Sequence, residues 1–254
     1  MALADSRATE QSGSATQPDG PVTRVSLREI REVTFRALSA RGASHGEAWV
    51  AARMVLDAQI QGEDGISLAV QDVRAPRWRR EEVPATEPPG RGDPVVLHAQ
   101  AGTMLRYGPL ALDLAMAEAG LHGVFVPGVT GGETCLESLL CEAASAHATT
   151  VVARRAHGGR WGPVHLARPD GCLARGDVAD SAAAVTDAGV AAADGDGLLV
   201  TSPCPSPWLA EGEGAWVTPQ QRAERRREVA QHGALVPAEA WRSLYDASRR
   251  YLVP

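Results

Sequence analysis

The chain has 254 residues, 44% of them hydrophobic and 4% aromatic, a length that fits one large domain or two small ones and a core of Ala, Val and Leu rather than rings. A formal net charge of −6 leaves no positive excess to neutralise a phosphate backbone, which argues against nucleic acid as a partner, and no apolar run approaches the ~18 residues of a membrane span. All 25 basic side chains are Arg, which excludes Schiff-base, pyridoxal-anchoring and phosphate-loop lysines, because a guanidinium stays protonated where an amine can lose its proton.

Residues 1–24 are rich in Ser, Thr, Gln and Gly and read as a disordered tail. They are polar and lack an apolar signal core, which points to a cytoplasmic protein. Residues 25–254 read as a single globular domain. Ser26-Leu27-Arg28-Glu29 is a capping box, with Val25 and Ile30 as its hydrophobic staple, and opens a helix that Gly42 ends. Ser44-His45-Gly46-Glu47 is a second box. Its helix carries Ala48, Ala51, Ala52, Val55 and Ala58 to Gln61, which completes a helical hairpin. Residues 76–94, charged and rich in Pro and Gly, are an internal linker or loop. Val95–His98 reads as a strand, and Pro109 as the first position of a helix that Gly120 stops. Strands over Val124–Val126 and Val151–Ala153 flank a helix over 133–147. Pro169-Asp170-Gly171 joins Val164–Arg168 to Cys172–Arg175 as a hairpin turn. A helix is expected over 180–193, a strand over Leu198–Val200 and a loop over 203–218. Residues 219–232 form a charged helix solvated nearly all round, and a last helix starts near Pro237 with Trp241, Leu244 and Tyr245 at helical spacing. Strands mixed with helices place the chain in the α/β or α+β class.

The helical hairpin and the segment after it resemble the malate/L-lactate dehydrogenase family of the non-Rossmann type. In that family the second helix runs into a stretch such as E-A-D-L-R-G-V-D-S-H-G; here the stretch is Asp57-Ala58-Gln59-Ile60-Gln61-Gly62-Glu63-Asp64-Gly65-Ile66-Ser67. Gly62 and Asp64 match, but the family's catalytic His falls on Ile66. The later Asn-His-Phe-Gly segment has no counterpart, and the family's active-site lysine cannot exist in a lysine-free chain. A closer resemblance is to a family of shorter bacterial proteins of uncharacterised function, which look like reduced relatives of those dehydrogenases. It rests on Ser26-Leu27-Arg28-Glu29-Ile30, Gly108-Pro109-Leu110, and the tail from Trp241-Arg242-Ser243-Leu244 to Arg250-Tyr251-Leu252-Val253-Pro254. The resemblance implies a dehydrogenase-like mixed sheet, with the N-terminal hairpin and C-terminal helices packed together, and a homodimer.

His157-Gly158-Gly159-Arg160-Trp161-Gly162 is the most site-like segment: close backbone approach, a titratable imidazole, a fixed cation and a flat apolar wall. Arg160, with Arg154 or Arg155, would clamp a substrate carboxylate while His157 moves a proton; the alternative is a Gly-rich turn between strands. Thr130-Gly131-Gly132-Glu133 either binds an anion or is a helix cap at Thr130 or Thr134. Asp64 is the one acidic position matched to the dehydrogenases and an acid/base candidate. His122 precedes a strand, and Arg106, beside Tyr107, offers an anion contact. His98 and His165 are expected to face solvent. Asp194-Gly195-Asp196-Gly197 imitates part of a calcium loop but lacks the remaining ligands, and Cys135, Cys141, Cys172 and Cys204 lack zinc-site spacing, so no metal is expected and the cysteines are free thiols.

Three functions follow. The first is a small-molecule enzyme of amino-acid-derived or specialised metabolism, without a cofactor, acting by acid/base chemistry (isomerisation, elimination or cyclisation) on a carboxylate. The second is a non-catalytic binding or partner subunit. The third is a reductase that still uses NAD or NADP through rearranged residues.

Overall fold

The computed structural model describes residues 20–75, 78, 86–87, 94–98, 102–117, 123–157, 160–176, 196–202 and 216–252. Both capping boxes form. Ser26 accepts from Glu29 N and Glu29 reaches back to Ser26 N at the start of α1 (Leu27–Ala40); Ser44 and Glu47 do the same for α2 (His45–Gln61). Each box satisfies amides that the first turn leaves without partners. Ser44→Ala is expected to cost about 1 kcal/mol, readable as a lower urea midpoint with an unchanged slope.

Gly62 ends α2 with φ of 85°, a left-handed conformation suited to glycine, and the chain at once enters α3 (Gly65–Arg74). No element was expected over this stretch. Its signals were Asp64 as N-cap, accepting from Ser67 N, and the apolar residues Ile66, Ala69, Val70 and Val73 behind it. The first strand is a second addition. β1 (Val22–Val25) begins inside the segment read as a tail and pairs antiparallel with β10 (Ala234–Pro237). Residues 1–19 lie outside the described ones, as does the helix expected over 180–193.

The main sheet runs β2-β3-β4-β8-β5-β6-β7-β9: β2 (Thr86–Glu87), β3 (Val95–Leu97), β4 (Val124–Pro127), β5 (Val151–His157), β6 (Arg160–Ala167), β7 (Leu173–Gly176), β8 (Gly197–Thr201) and β9 (Trp216–Val217). Among the described strands, β3 and β4 make the parallel pair and every other neighbour is antiparallel. Within the 76–94 link, Thr86–Glu87 pairs with β3 and Trp78 is buried. The β6–β7 hairpin turns where expected: Cys172 N donates to Asp170 Oδ1 at 3.0 Å, and Gly171 has a positive φ of 77°. β9 falls in the stretch read as loop.

One face of the sheet, with Val124, Val126, Val151, Ala153, Leu198 and Val200, joins the main apolar core under α4 (Met104–Ala117) and α5 (Glu137–Ala146). A layer of α1, α2, α3 and α7 (Ala238–Arg249) closes over it. Pro109 sits inside α4 rather than at its first position. The helix starts earlier because Thr103, whose hydroxyl accepts from Leu105 N at 3.1 Å, supplies the N-terminal partner. Gly108 meets the Leu136 side chain there, so a Cβ would force this contact apart. Cys135 and Cys141 are buried free thiols, and burial raises the Cys141 thiol above its ordinary range.

α6 (Pro219–His232) buries none of its residues, as its composition implies. Its arginines nevertheless anchor it. Arg226 reaches Asp57 at 2.8 Å, Arg225 donates to Gln61 O at 2.6 Å and Arg222 contacts the Cys141 sulfur at 2.6 Å.

Candidate functional site

Four strand termini meet at one edge of the sheet. Pro127 of β4 and Ala156 of β5 both pair with Gly197, the first residue of β8, and His157 at the end of β5 stands opposite Arg160, the first residue of β6. β4 and β5 end at this edge, and β6 and β8 begin there. His157 is exposed, and its Nδ1 lies 2.8 Å from Asp196 Oδ2. Asp196 is itself fixed by the backbone: its carbonyl accepts from Gly128 N at 2.7 Å. A carboxylate only accepts, so a hydrogen sits on Nδ1, and the neutral ring in this tautomer would carry its lone pair on Nε2.

A second chain of contacts supports this edge from below. Asp72 on α3 is buried, and it accepts from Thr103 N at 3.2 Å and from the Thr103 hydroxyl at 2.7 Å. Thr103 forms a parallel bridge with Thr130, and Thr130 O accepts from Met104 N at 2.7 Å. One residue on, Gly131 O accepts from Arg155 Nη1 at 2.5 Å. Gly131 has φ of 111°, and a Cβ there would strike Leu68 and Met104, so this turn admits glycine alone without rearrangement. Arg155 precedes His157 by two residues. The amino end of α4, the loop after β4 and the end of β5 are therefore one connected frame.

Burial dominates the Asp72 carboxyl and pushes its pKa up to about 6; the Thr103 hydrogen bonds and the Arg106 charge pull the other way. Arg106 lies 5.7 Å from the Trp78 ring centre and 5.2 Å from that of Tyr107, within cation–π range of both.

The expected site residues divide accordingly. His157 and Arg160 are brought together by register. Gly158, Gly159 and His122 lie outside the described residues, and Trp161 is the second residue of β6. Asp64 is exposed and caps α3, its carboxylate accepting from Ser67 N at 3.0 Å. Arg106 belongs with Asp72 eight residues further along α3, about 12 Å from Asp64 by helical rise. Thr130 is not a helix cap: α5 has Leu136 at that position with no side-chain bond, and Thr130 is engaged with the Thr103 segment instead. His165 does not face solvent. It is fully buried beneath α5, with Nδ1 at 3.0 Å from Glu137 Oε1, because β6 turns that residue toward the helices. His98 is exposed, as expected.

Sequence reading missed Asp196, taken only as part of a failed calcium loop, and missed Asp72 and Thr103. An acidic residue directly before an apolar strand was the available signal for Asp196. Among the described residues no group of three or more His, Cys, Asp or Glu side chains converges to hold a metal, and no helix is long and apolar enough to cross a membrane.

No protein-family model and no curated protein matches the chain. Solved structures do. A dehydrogenase from Sinorhizobium meliloti aligns with a TM-score of 0.61 at 13% identity, covering 90% of this chain and 100% of that one. Malate dehydrogenase from Entamoeba histolytica gives 0.57 at 11% identity over 92% and 99% of the two chains, and sulfolactate dehydrogenase from Methanocaldococcus jannaschii gives 0.55 at 11% over 90% and 97%. The fold is the malate/lactate dehydrogenase-like fold, as the short motifs of the sequence imply.

Proposed function

We propose that this chain is a small-molecule enzyme that has exchanged hydride transfer for acid/base chemistry on a carboxylate substrate. The observation that carries the reading is the His157–Asp196 pair at 2.8 Å, placed at the sheet edge where β4 and β5 end, with His157 paired in register with Arg160. Asp196 holds the imidazole in one tautomer, and Nε2 is the atom that takes a proton from the substrate and returns it. Arg160 is the cation assigned to the substrate carboxylate. Isomerisation, elimination and cyclisation all need such a shuttle and no electron carrier. A homodimer of this chain acting on an amino-acid-derived or other specialised metabolite is the form we assign to it.

The fold family implies a nicotinamide dinucleotide, and the residues at the inherited position do not fit its chemistry. Ile66, which aligns with the dehydrogenase histidine, is fully buried in the apolar core and carries no proton. The proposed chemistry uses no nicotinamide.

The test is a set of variants assayed by mass spectrometry on a pool of carboxylate metabolites. His157→Ala is expected to lower turnover by about 10²–10⁴-fold, the range for loss of a positioned proton carrier. Asp196→Asn keeps the imidazole but loosens its tautomer, and is expected to fall between that variant and the wild type. Both side chains are exposed, so the melting temperature should hold. Turnover unchanged in His157→Ala would remove this site from consideration.

A further inference from the structure

Away from the sheet edge, α1, α3 and α7 leave a cleft of about 320 Å³ between them, and three arginines line it, one from the end of each helix: Arg41, Arg74 and Arg250. Among the described residues none of the three is paired with a carboxylate. The one acid in the lining, Asp246, is likewise unpaired, so three cations face one anion and two positive charges remain in excess. Arg41 is held in place, since its Nη2 donates to Ala75 O at 2.8 Å. Its Nε is buried with no acceptor, so that edge of the guanidinium has lost water and gained nothing in return. Arg74 reaches the Ser243 hydroxyl at 3.4 Å. Val70 and Val73 supply an apolar side to the same cleft.

From this arrangement we infer a second ligand site, for a phosphate dianion carried on a small organic group. The formal excess of two, reduced by the partial negative charge of the three helix carboxyl ends from which the arginines come, draws an anion. The directions match a phosphate. Guanidiniums arriving from three helices suit a tetrahedral group with oxygens on several sides, whereas a planar carboxylate satisfies one fork. The cleft is several times larger than a phosphate group, and the space beside Val70 and Val73 takes an apolar or neutral substituent. Nothing in the inference uses His157, so it stands whether or not the proposed chemistry does.

Calorimetric titration of the full chain with inorganic phosphate, glycerol 3-phosphate and succinate tests it. Saturable binding of glycerol 3-phosphate at one site per chain is expected, with phosphate binding more weakly and succinate at least tenfold more weakly than the ester. Arg74→Ala and Arg250→Ala should each weaken ester binding at least tenfold; both side chains are exposed, so the variants fold. Arg242→Ala, on the same helix but outside the cleft, should leave it unchanged, and Asp246→Asn should tighten it. Equal affinity for phosphate and the ester would keep the anion site but assign it to free phosphate. No saturable binding, succinate binding as well as the ester, or an Arg242→Ala loss equal to the Arg74→Ala loss would overturn the inference.

Discussion

Replacing Ile66 with His, the residue that the sequence resemblance to the dehydrogenases puts there, is expected to destabilise the protein by about 3–5 kcal/mol and to yield no hydride transfer. The side chain is fully buried in the main core, at the second residue of α3. Two costs add. The apolar contacts of Ile66 are lost, and an imidazole is desolvated where apolar neighbours offer no partner. The position also lies at the amino end of a helix, whose dipole disfavours a protonated ring. In a domain of this size the change should lower the melting temperature by roughly 10 °C. Scanning calorimetry of Ile66→His beside Ile66→Val checks it. A stable Ile66→His variant that oxidised a hydroxy acid with a nicotinamide would mean that the old site is still open.

The second large effect lies at Asp72. Its carboxyl is raised from 3.8 to about 6 in the folded protein, so over that interval the folded chain holds a proton that the unfolded chain has lost. Stability is therefore fully present below the unfolded value and is withdrawn as pH climbs through about 6, by an amount on the order of 3 kcal/mol. Asp72→Asn should flatten that slope. Asp72→Ala should do more harm: measured at pH 4, before most of that withdrawal, it strands the buried Thr103 N–H and hydroxyl and is expected to cost about 3 kcal/mol. Urea melts of the three proteins between pH 4 and 7 separate these outcomes. An unchanged pH slope in Asp72→Asn would show that another group is responsible. Because Thr103 bridges to Thr130, and Gly131 in turn holds Arg155, damage here should also loosen the His157 edge.

What the sequence disclosed, and what it hid, follows the range of the interactions. Both capping boxes were legible because a Ser and a Glu three residues apart complete each other's hydrogen bonds within one turn. The Asp170-Gly171 turn was legible for the same reason. The β1–β10 pair was not: Val25 and Ala234 are far apart in sequence, and neither strand is long enough to announce itself. α3 was hidden by Gly65 at its start, a poor helix former placed there because a Cβ would strike the Val55 backbone. Pro109 misled because proline is common at a first helical position, whereas here Thr103 had already opened the helix. In the site, His157 and its opposition to Arg160 could be read from a His-Gly-Gly-Arg run between strands. Its partner was harder to read, since Asp196 arrives just ahead of β8, 39 residues away. Arg106 drew attention as a cation beside a tyrosine; its approach to the face of Trp78 and its charge effect on Asp72, both distant in sequence, were not legible.

The proposed chemistry moves a proton at carbon without electron transfer, and solvent labelling reads that directly. The protein is incubated in D₂O with a pool of carboxylate metabolites, and the products are followed by mass spectrometry. The expected result is deuterium entering one carboxylate with the wild type and not with His157→Ala, with no nicotinamide added. No solvent deuterium in any carboxylate, together with transfer of deuterium from a C4-labelled nicotinamide into a product, would contradict it.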